Sequence, residues 1–209
     1  MYIPSHFTAD ANETDTLLAN IGAADLVVAT ASGLLSAHIP MLYYPGQGDL
    51  GVLKGHLAKA NSQIDQPVVG EAMVIVHGVS SYVSPSFYPS KAKHGKVVPT
   101  WNYTIAHVYG ELVLHDDPDW LLAHVTALTE RHEEGFDAPW SVSDAPSSYI
   151  TAMLGAIVGV EVRISRIEAK VKLSQNREAS DVEGVIEGLY CRGDKIGSQA
   201  VANAKRARS

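Results

Sequence analysis

The chain has 209 residues, of which 46% are hydrophobic and 19% are charged, and its formal net charge is −7. This length and composition fit a globular protein with a complete core, and no run of roughly 18 apolar residues predicts a membrane span. Cys191 is the single cysteine, so an intramolecular disulfide is excluded. The first residues carry neither a basic run nor an apolar signal core, and we expect a cytoplasmic protein.

Basic residues are concentrated towards the C-terminus. Residues 190–209 contain five basic residues and one acid, so the rest of the chain is more acidic than the total charge. An acidic body repels a phosphate backbone, which disfavours direct DNA binding. We therefore predict one domain over 1–189, followed by a basic, flexible tail over 190–209 that could touch an acidic partner.

The first part of the chain predicts one helix and then four strands. The helix spans about 8–20, and the strands span 26–30, 34–44, 50–56 and 73–77. Residues 31–33 form a turn of hairpin length between the first two strands, which is typical of antiparallel pairing.

Residues 82–99 are the least regular stretch. Their three prolines lack the N–H group that a central strand needs, so the stretch is predicted to be a loop. Aromatic residues are also concentrated from 82 to 103, whereas disordered segments are poor in them. We therefore interpret the stretch as an ordered, functional loop.

The second part of the chain alternates between strand and helix patterns. A strand is predicted over 101–114, helices over 117–132 and from about 143, and a strand from 158. Asp117-Pro118-Asp119 is a strong helix start, because it supplies a cap, a first-turn proline and an acid at the positive end of the helix dipole. Leu121, Val125 and Leu128 form the expected buried stripe. Short connections favour a mainly β or α+β fold, an antiparallel barrel with peripheral helices.

Common catalytic motifs are missing from the sequence. It has no GxxxxGK[ST] phosphate loop, no GxGxxG after a strand, no HExxH and no GxSxG. None of the nine histidines shares a helix face with a second histidine and an acid at ligand spacing, so we predict no metal site. The two clear helices also lack the tight turn of a DNA-reading helix pair.

Two segments have the chemistry of a ligand site. His56, Lys59 and Asn61 lie where a strand ends, and cationic and N–H groups at such a junction suit a phosphate. A solvated surface lysine is the alternative interpretation. Residues 96–103 place an aromatic beside a hydroxyl and an amide, which suits a planar heteroaromatic ring. A loop anchored in the core by Trp101 is the alternative there.

These segments resemble the PaiB-like FMN-binding negative transcriptional regulators. The matching blocks occur in the same order as in that family and cover roughly residues 1–176. They are Met1-Tyr2-Ile3-Pro4, Gly-His-Leu-Ala-Lys-Ala-Asn at 55–61, Tyr-Val-Ser-Pro-Ser at 82–86, His-Gly-Lys-Val-Val-Pro-Thr-Trp-Asn-Tyr at 94–103, and Lys-Leu-Ser-Gln-Asn at 172–176.

The resemblance implies a split β-barrel like that of the pyridoxamine-phosphate-oxidase-like flavoproteins. It implies FMN as the cofactor, with two FMN sites across a homodimer interface. The residues implied at the cofactor are Ser36, Ala37, His38 and Ile39 for backbone contacts to the flavin, His56 and Lys59 for the phosphate, Val98, Thr100 and Trp101 around the ring, and Lys172 and Gln175 at the flavin edge or from the partner. Val171 stands where we expect a tryptophan in this family, which removes aromatic surface.

Three functions follow as hypotheses. The resemblance implies an FMN-binding regulator, and the acidic body leads us to expect an indirect regulatory effect. A flavin-dependent oxidoreductase acting on a small molecule is the alternative, with His38 and His94 as candidate proton donors. Haem binding or degradation through a strand histidine is a third hypothesis.

Overall fold

The structure, a computed structural model, describes residues 1–61 and 66–207. The strands are β1 Ala23–Thr30, β2 Gly33–Tyr44, β3 Val52–Ala58, β4 Ala72–Val83, β5 Thr100–His115 and β6 Ile157–Lys172. They form a closed barrel in the order β1-β2-β3-β6-β5-β4. The ladders of β1 with β2 and β4, and of β3 with β2 and β6, are antiparallel. The antiparallel barrel predicted from the sequence is therefore confirmed.

Helices occupy the connections and the C-terminal segment. They are α1 Ala11–Ala19, α2 Ser90–His94, α3 Pro118–Glu133, α4 Ser147–Gly155, α5 Ala179–Cys191 and α6 Lys195–Arg206. As predicted, Asp117 caps α3 by accepting a hydrogen bond from the Asp119 N–H at 3.0 Å. None of the helices in the described part of the chain has the length and apolarity of a transmembrane span.

The chain forms two compact units. The first comprises Met1–Leu17, His77–Ala106 and Glu168–Ser209, and the second comprises Leu18–Val76 and His107–Ile167. The second unit contains β1, β2, β3, α3 and α4. The first contains α2, α5 and α6. Strands β4, β5 and β6 each run from one unit into the other.

The first two residues of the loop predicted over 82–99 belong to β4, and the rest of it is ordered in the first unit. A 3-10 turn spans Pro85–Phe87, with the Ser84 side chain accepting from the Ser86 N–H, and α2 follows it. Asp181 of α5 fixes the start of α2, because its carboxylate accepts from the Ser90 N–H at 3.1 Å and from the Ser90 hydroxyl at 2.7 Å. Two side chain–backbone anchors thus replace the ladder that the prolines prevent.

The C-terminal segment differs from the flexible tail predicted over 190–209. Residues 195–206 form α6, and its Val201 is fully buried. Val201 and Ala204 share a core cluster with residues of α5 and with the end of β6. The basic residues occupy the other faces of the helix, so counting charge concealed the apolar stripe of a helical segment.

Substitutions on α6 test whether the segment belongs to the folded core. We expect Val201→Ala to lower the free energy of unfolding by about 1–3 kcal/mol, because it removes buried methyl groups and leaves a cavity. Ile196 lies on the same helix and is 74% exposed, so Ile196→Ala should change it by less than about 0.5 kcal/mol. Urea denaturation measures both, and an equally small effect of the two variants would indicate a tail outside the core.

Candidate functional site

Strands β2 and β3 pair over only part of their length. Their ladder runs from the pair Tyr44–Val52 to the pair Met41–Gly55. Beyond it, among the described residues, β2 pairs with β1 and β3 pairs with β6. Residues 36–39 therefore have no β3 partner along one edge, which is the split of this barrel.

Pro40 explains where the ladder ends. The Met41 N–H donates to the Gly22 carbonyl at 3.0 Å, on the β1 side, and backbone groups alternate between the two edges of an antiparallel strand. Position 40 therefore faces β3, and proline has no N–H to donate there. By the same alternation, the N–H and C=O groups of Ser36 and His38 face the opening.

The side chains of this segment divide between core and solvent. Those of Ser36 and His38 are exposed, Ala37 is half-buried and Ile39 is buried. Asp25 lies opposite His38 in the β1–β2 ladder, and its Oδ1 is 2.7 Å from His38 Nδ1. Asp25 therefore orients the His38 ring, which leaves Nε2 as the group that can exchange a proton.

The residues predicted to bind phosphate, His56, Lys59 and Asn61, lie at or just after the end of β3, and each of them has its own partner in the structure. Lys59 is exposed, and its Nζ is 3.4 Å from Asp116 Oδ1, an exposed ion pair of small energetic value. Its backbone N–H donates to the Ala156 carbonyl at 2.9 Å, and the Asn61 N–H donates to the Ala58 carbonyl at 2.9 Å. The turn is thus fixed while the Lys59 ammonium stays accessible.

The outer face of β3 and β6 is covered by a flat aromatic stack. A Cβ atom at Gly159 would lie 2.2 Å from Cζ3 of Trp120, so glycine is required for the Trp120 ring to lie against β6. The His115 ring stacks on Trp120 at 4.2 Å between centroids and 8° between planes. Gly159 is the ladder partner of His56, so the stack borders that histidine.

His56 and His124 form a pair within this layer. Nδ1 of His56 is 3.2 Å from Nε2 of His124, which lies on α3 and is 3% exposed. Burial, with repulsion from His56 and Lys54, lowers the pKa of His124 to about 4. Burial also lowers the pKa of His56. Both rings are therefore neutral at pH 7.

His124 was not identified from the sequence. The predicted stripe of α3 was Leu121, Val125 and Leu128, of which Leu121 is buried and the other two are half-buried. His124 takes the buried position three residues after Leu121. The helical spacing was a usable signal, but a polar residue is not expected on an apolar stripe.

Glu161 supplies a buried negative charge beside the same layer. It is 8% exposed, and its carboxylate lies 3.0 Å from Arg163 Nε, 3.5 Å from His115 Nε2 and 3.9 Å from Lys54 Nζ. The positive charges of Arg163 and Lys54 offset the cost of burying this carboxylate. Among the described residues, no three His, Cys, Asp or Glu side chains are grouped as metal ligands.

In the first unit, the structure brings Thr100, Trp101 and Lys172 together. Lys172 Nζ donates to Thr100 Oγ1 at 2.6 Å and to the Trp101 carbonyl at 2.7 Å. Desolvation lowers the pKa of Lys172. Trp101 is 54% exposed and meets Tyr82 edge to face, with 5.8 Å between ring centroids. The interpretation of Trp101 as a core anchor is therefore not supported, because more than half of the residue is exposed to solvent. Val98 is exposed as well.

The Lys-Leu-Ser-Gln-Asn block builds a turn. The Gln175 amide accepts from the Leu173 N–H at 2.6 Å and donates to the Val171 carbonyl at 2.6 Å. Ser174 adopts a positive φ of 64° and hydrogen bonds with buried Asn102 at 2.9 Å. The two most distinctive sequence blocks are thus bound to each other, a structural role that the motif alone did not reveal.

Val171 lies in the core of the first unit. It is 5% exposed and belongs to the cluster formed with α5 and α6 residues. The side chain at this position therefore packs inside the unit, and the missing tryptophan does not uncover an exposed surface.

The fold is that of the split-barrel flavoproteins. The structure of the FAD and heme binding protein from Mycobacterium smegmatis is similar, with a TM-score of 0.58 at 16% identity over 86% of this chain and 80% of that chain. The hypothetical protein Rv2991 from Mycobacterium tuberculosis has a TM-score of 0.57 at 9% identity over 85% and 94% of the two chains. At these identities the similarity establishes the fold.

The family is established by sequence. The family described as "Putative FMN-binding domain" matches residues 1–166, and the chain belongs to it. The Bacillus subtilis protein "Protease synthase and sporulation protein PAI 2" is 30% identical over 191 residues, which cover 90% of this chain and 89% of that protein. The Emericella nidulans protein AN0679 is 34% identical over 205 residues, covering 83% and 81%. The PaiB-like resemblance and FMN as the cofactor are therefore confirmed.

The buried state of His124 makes stability depend on pH. Its folded pKa of about 4 lies below the ordinary value of 6.5, so protonation below pH 6.5 favours the unfolded chain. We expect the contribution of His124 to the free energy of unfolding to be constant above that value and to fall by up to about 1.4 kcal/mol per pH unit towards pH 4. His124→Leu should remove this part of the slope in urea denaturation at pH 7, 6 and 5. Parallel pH profiles for the two proteins would contradict the burial of a neutral imidazole.

Proposed function

We propose that the protein is a homodimeric FMN-binding regulator that acts on transcription indirectly. The observation that carries the proposal is the split beside β2, where the backbone N–H and C=O groups of Ser36 and His38 face an edge that pairs with no neighbouring strand among the described residues. Unpaired backbone groups of a β-edge bind polar ring edges as they would bind a strand. FMN has such an edge, and its ring supplies electron transfer when bound.

Lys59 supports the phosphate end of this proposal. It lies in the same unit as residues 36–39, is exposed, and forms a weak ion pair with Asp116. A phosphate dianion competes well for an ammonium held in such a pair, because charge-assisted bonds to phosphate are stronger. Asn61 follows at the same turn.

The first unit offers a surface of the kind that a flavin ring contacts. Trp101 and Val98 expose apolar area, and Lys172 places a cation beside them. Such a combination suits a ring system that is apolar on its faces and electron-rich when reduced.

An indirect route to regulation is favoured by charge. The chain carries a net charge of −7, and on α6 the Lys205 ammonium is bound to Glu183 at 2.7 Å. Few cations therefore remain on this helix for a DNA backbone. The resemblance to the PaiB-like negative transcriptional regulators supports a regulatory setting, and a flavin that reports redox state to a protein partner fits both observations. A salt-sensitive DNA mobility shift that depends on Lys195 and Arg206 would contradict the indirect route.

Replacement of Lys59 tests the phosphate contact. We expect Lys59→Ala to weaken FMN binding by about 1.5–3 kcal/mol, because a charged hydrogen bond to phosphate is lost. Lys195→Ala is the matched control, since Lys195 is an exposed lysine on α6, and its FMN affinity should not change. Quenching of FMN fluorescence during titration measures both. Wild-type affinity in Lys59→Ala would remove this residue from the site.

A flavin-dependent oxidoreductase is the second candidate, and the Asp25–His38 pair favours it. A histidine oriented by a carboxylate at the split is a competent proton donor. If the protein is an enzyme, catalytic oxidation of NADH or NADPH over many turnovers is expected, and His38→Gln should slow it by about 100-fold. The regulator instead predicts no sustained turnover and no effect of that substitution on FMN affinity. A spectrophotometric assay that follows the loss of NADH or NADPH absorbance separates the enzyme from the regulator.

A further inference from the structure

The pair formed by His56 and His124 has a defined direction. A hydrogen bond between two neutral imidazoles requires one ring to donate its single N–H and the other to accept. The atoms in contact are Nδ1 of His56 and Nε2 of His124, 3.2 Å apart. Two arrangements are possible, and they differ in which nitrogen of His56 is left carrying a proton.

The surroundings of His124 select one arrangement. Its other nitrogen, Nδ1, is buried and has no hydrogen-bond partner among the described residues. A proton placed there would be a buried, unsatisfied N–H, which is rarer and less tolerated in proteins than an unsatisfied acceptor. The proton therefore belongs on Nε2 of His124, which then donates to Nδ1 of His56.

We propose that His124 is a positioning residue that fixes His56 in the tautomer protonated at Nε2. A neutral ring that accepts at Nδ1 carries its only N–H at Nε2. His56 then presents a donor, which matches the oxygen atoms of a phosphate, whereas the opposite tautomer would present a lone pair to them. The tautomer is a property of the protein alone, and only its use towards phosphate rests on the proposed function.

Packing holds the rings in this geometry. Trp120 stacks on His124 with 5.5 Å between centroids and 27° between planes, and it lies against Gly159, which leaves no side chain in its way. Lys54 contributes a positive charge that repels a second proton on His124. Burial, stacking and charge thus keep His124 as a neutral donor of fixed orientation.

A positioning role of His124 and a purely structural role of His124 predict different behaviour of His56. A residue that only fills space could be replaced by any side chain of similar size. A positioning residue requires an N–H at the location of Nε2, which glutamine can supply through its amide and leucine cannot.

Long-range ¹H–¹⁵N spectra of the histidine rings test the inference in the protein without added ligand. At pH 7.5 we expect wild-type His56 to show one protonated nitrogen, Nε2. His124→Gln should keep this pattern, and His124→Leu should convert His56 into a mixture of tautomers. His132→Leu is the control, because His132 is exposed on the same helix, and it should leave the His56 signals unchanged. A wild-type His56 protonated at Nδ1, or an unaltered spectrum in folded His124→Leu, would overturn the proposal; the wild-type spectrum decides the matter even if that variant does not fold.

Flavin titration tests the use of the tautomer. We expect FMN to bind about 3- to 10-fold more weakly to His124→Leu, with wild-type affinity recovered in His124→Gln. His56→Ala separates the two claims. If it binds FMN like the wild type while the ring spectra are as expected, the phosphate contact of His56 is wrong and the tautomer assignment stands. If it weakens binding while His124→Leu does not, the positioning role is contradicted and the FMN site stands.

Discussion

The parting of β2 from β3 is the constraint on which the proposed site depends. A strand continues its ladder as long as each residue on the shared edge can donate and accept, and Pro40 cannot donate. Gly55, the ladder partner of Met41, allows the strands to approach closely, since a Cβ there would lie 3.0 Å from the Pro40 carbonyl oxygen. Pro40 and Gly55 thus hold the two strands close at the last pair of the ladder and end it, which leaves the backbone groups of Ser36 and His38 available to a ligand.

The outer face of β3, in the second unit, packs against ring side chains. There the strand is covered by α3, and the contact is made of the histidine and tryptophan rings of His56, Trp120 and His124. Gly159 permits the Trp120 ring to lie flat, and the ring in turn confines His124. A polar layer of this kind is costly unless its members satisfy one another. The histidine pair therefore has two effects in this account. It lowers stability at low pH, and it fixes the direction of a hydrogen-bond donor beside the predicted phosphate turn.

Much of the architecture could be predicted from the sequence because local signals agreed with the fold. Hairpin-length links gave the antiparallel barrel, and the Asp-Pro-Asp start gave α3. What escaped prediction depends on tertiary packing. The charge of residues 190–209 suggested a flexible tail, but the spacing of Val201 and Ala204 places them in a core cluster. The motif predicts the amide of Gln175 at the flavin edge or in the partner's contribution, and the structure engages both ends of this amide in its own turn. Pro40, inside a predicted strand, was a signal of the split that the sequence pattern alone did not interpret.

Amide hydrogen exchange of β2 measures the central claim most directly. If the open edge binds FMN, the N–H groups of Ser36 and His38 should exchange at least about tenfold more slowly when the protein is saturated with FMN, because they become hydrogen bonded. The N–H groups of Ala37 and Ile39 face β1 and should keep their rates. Unchanged exchange at Ser36 and His38 in the FMN complex would contradict the account, since the flavin would then lie elsewhere on the protein.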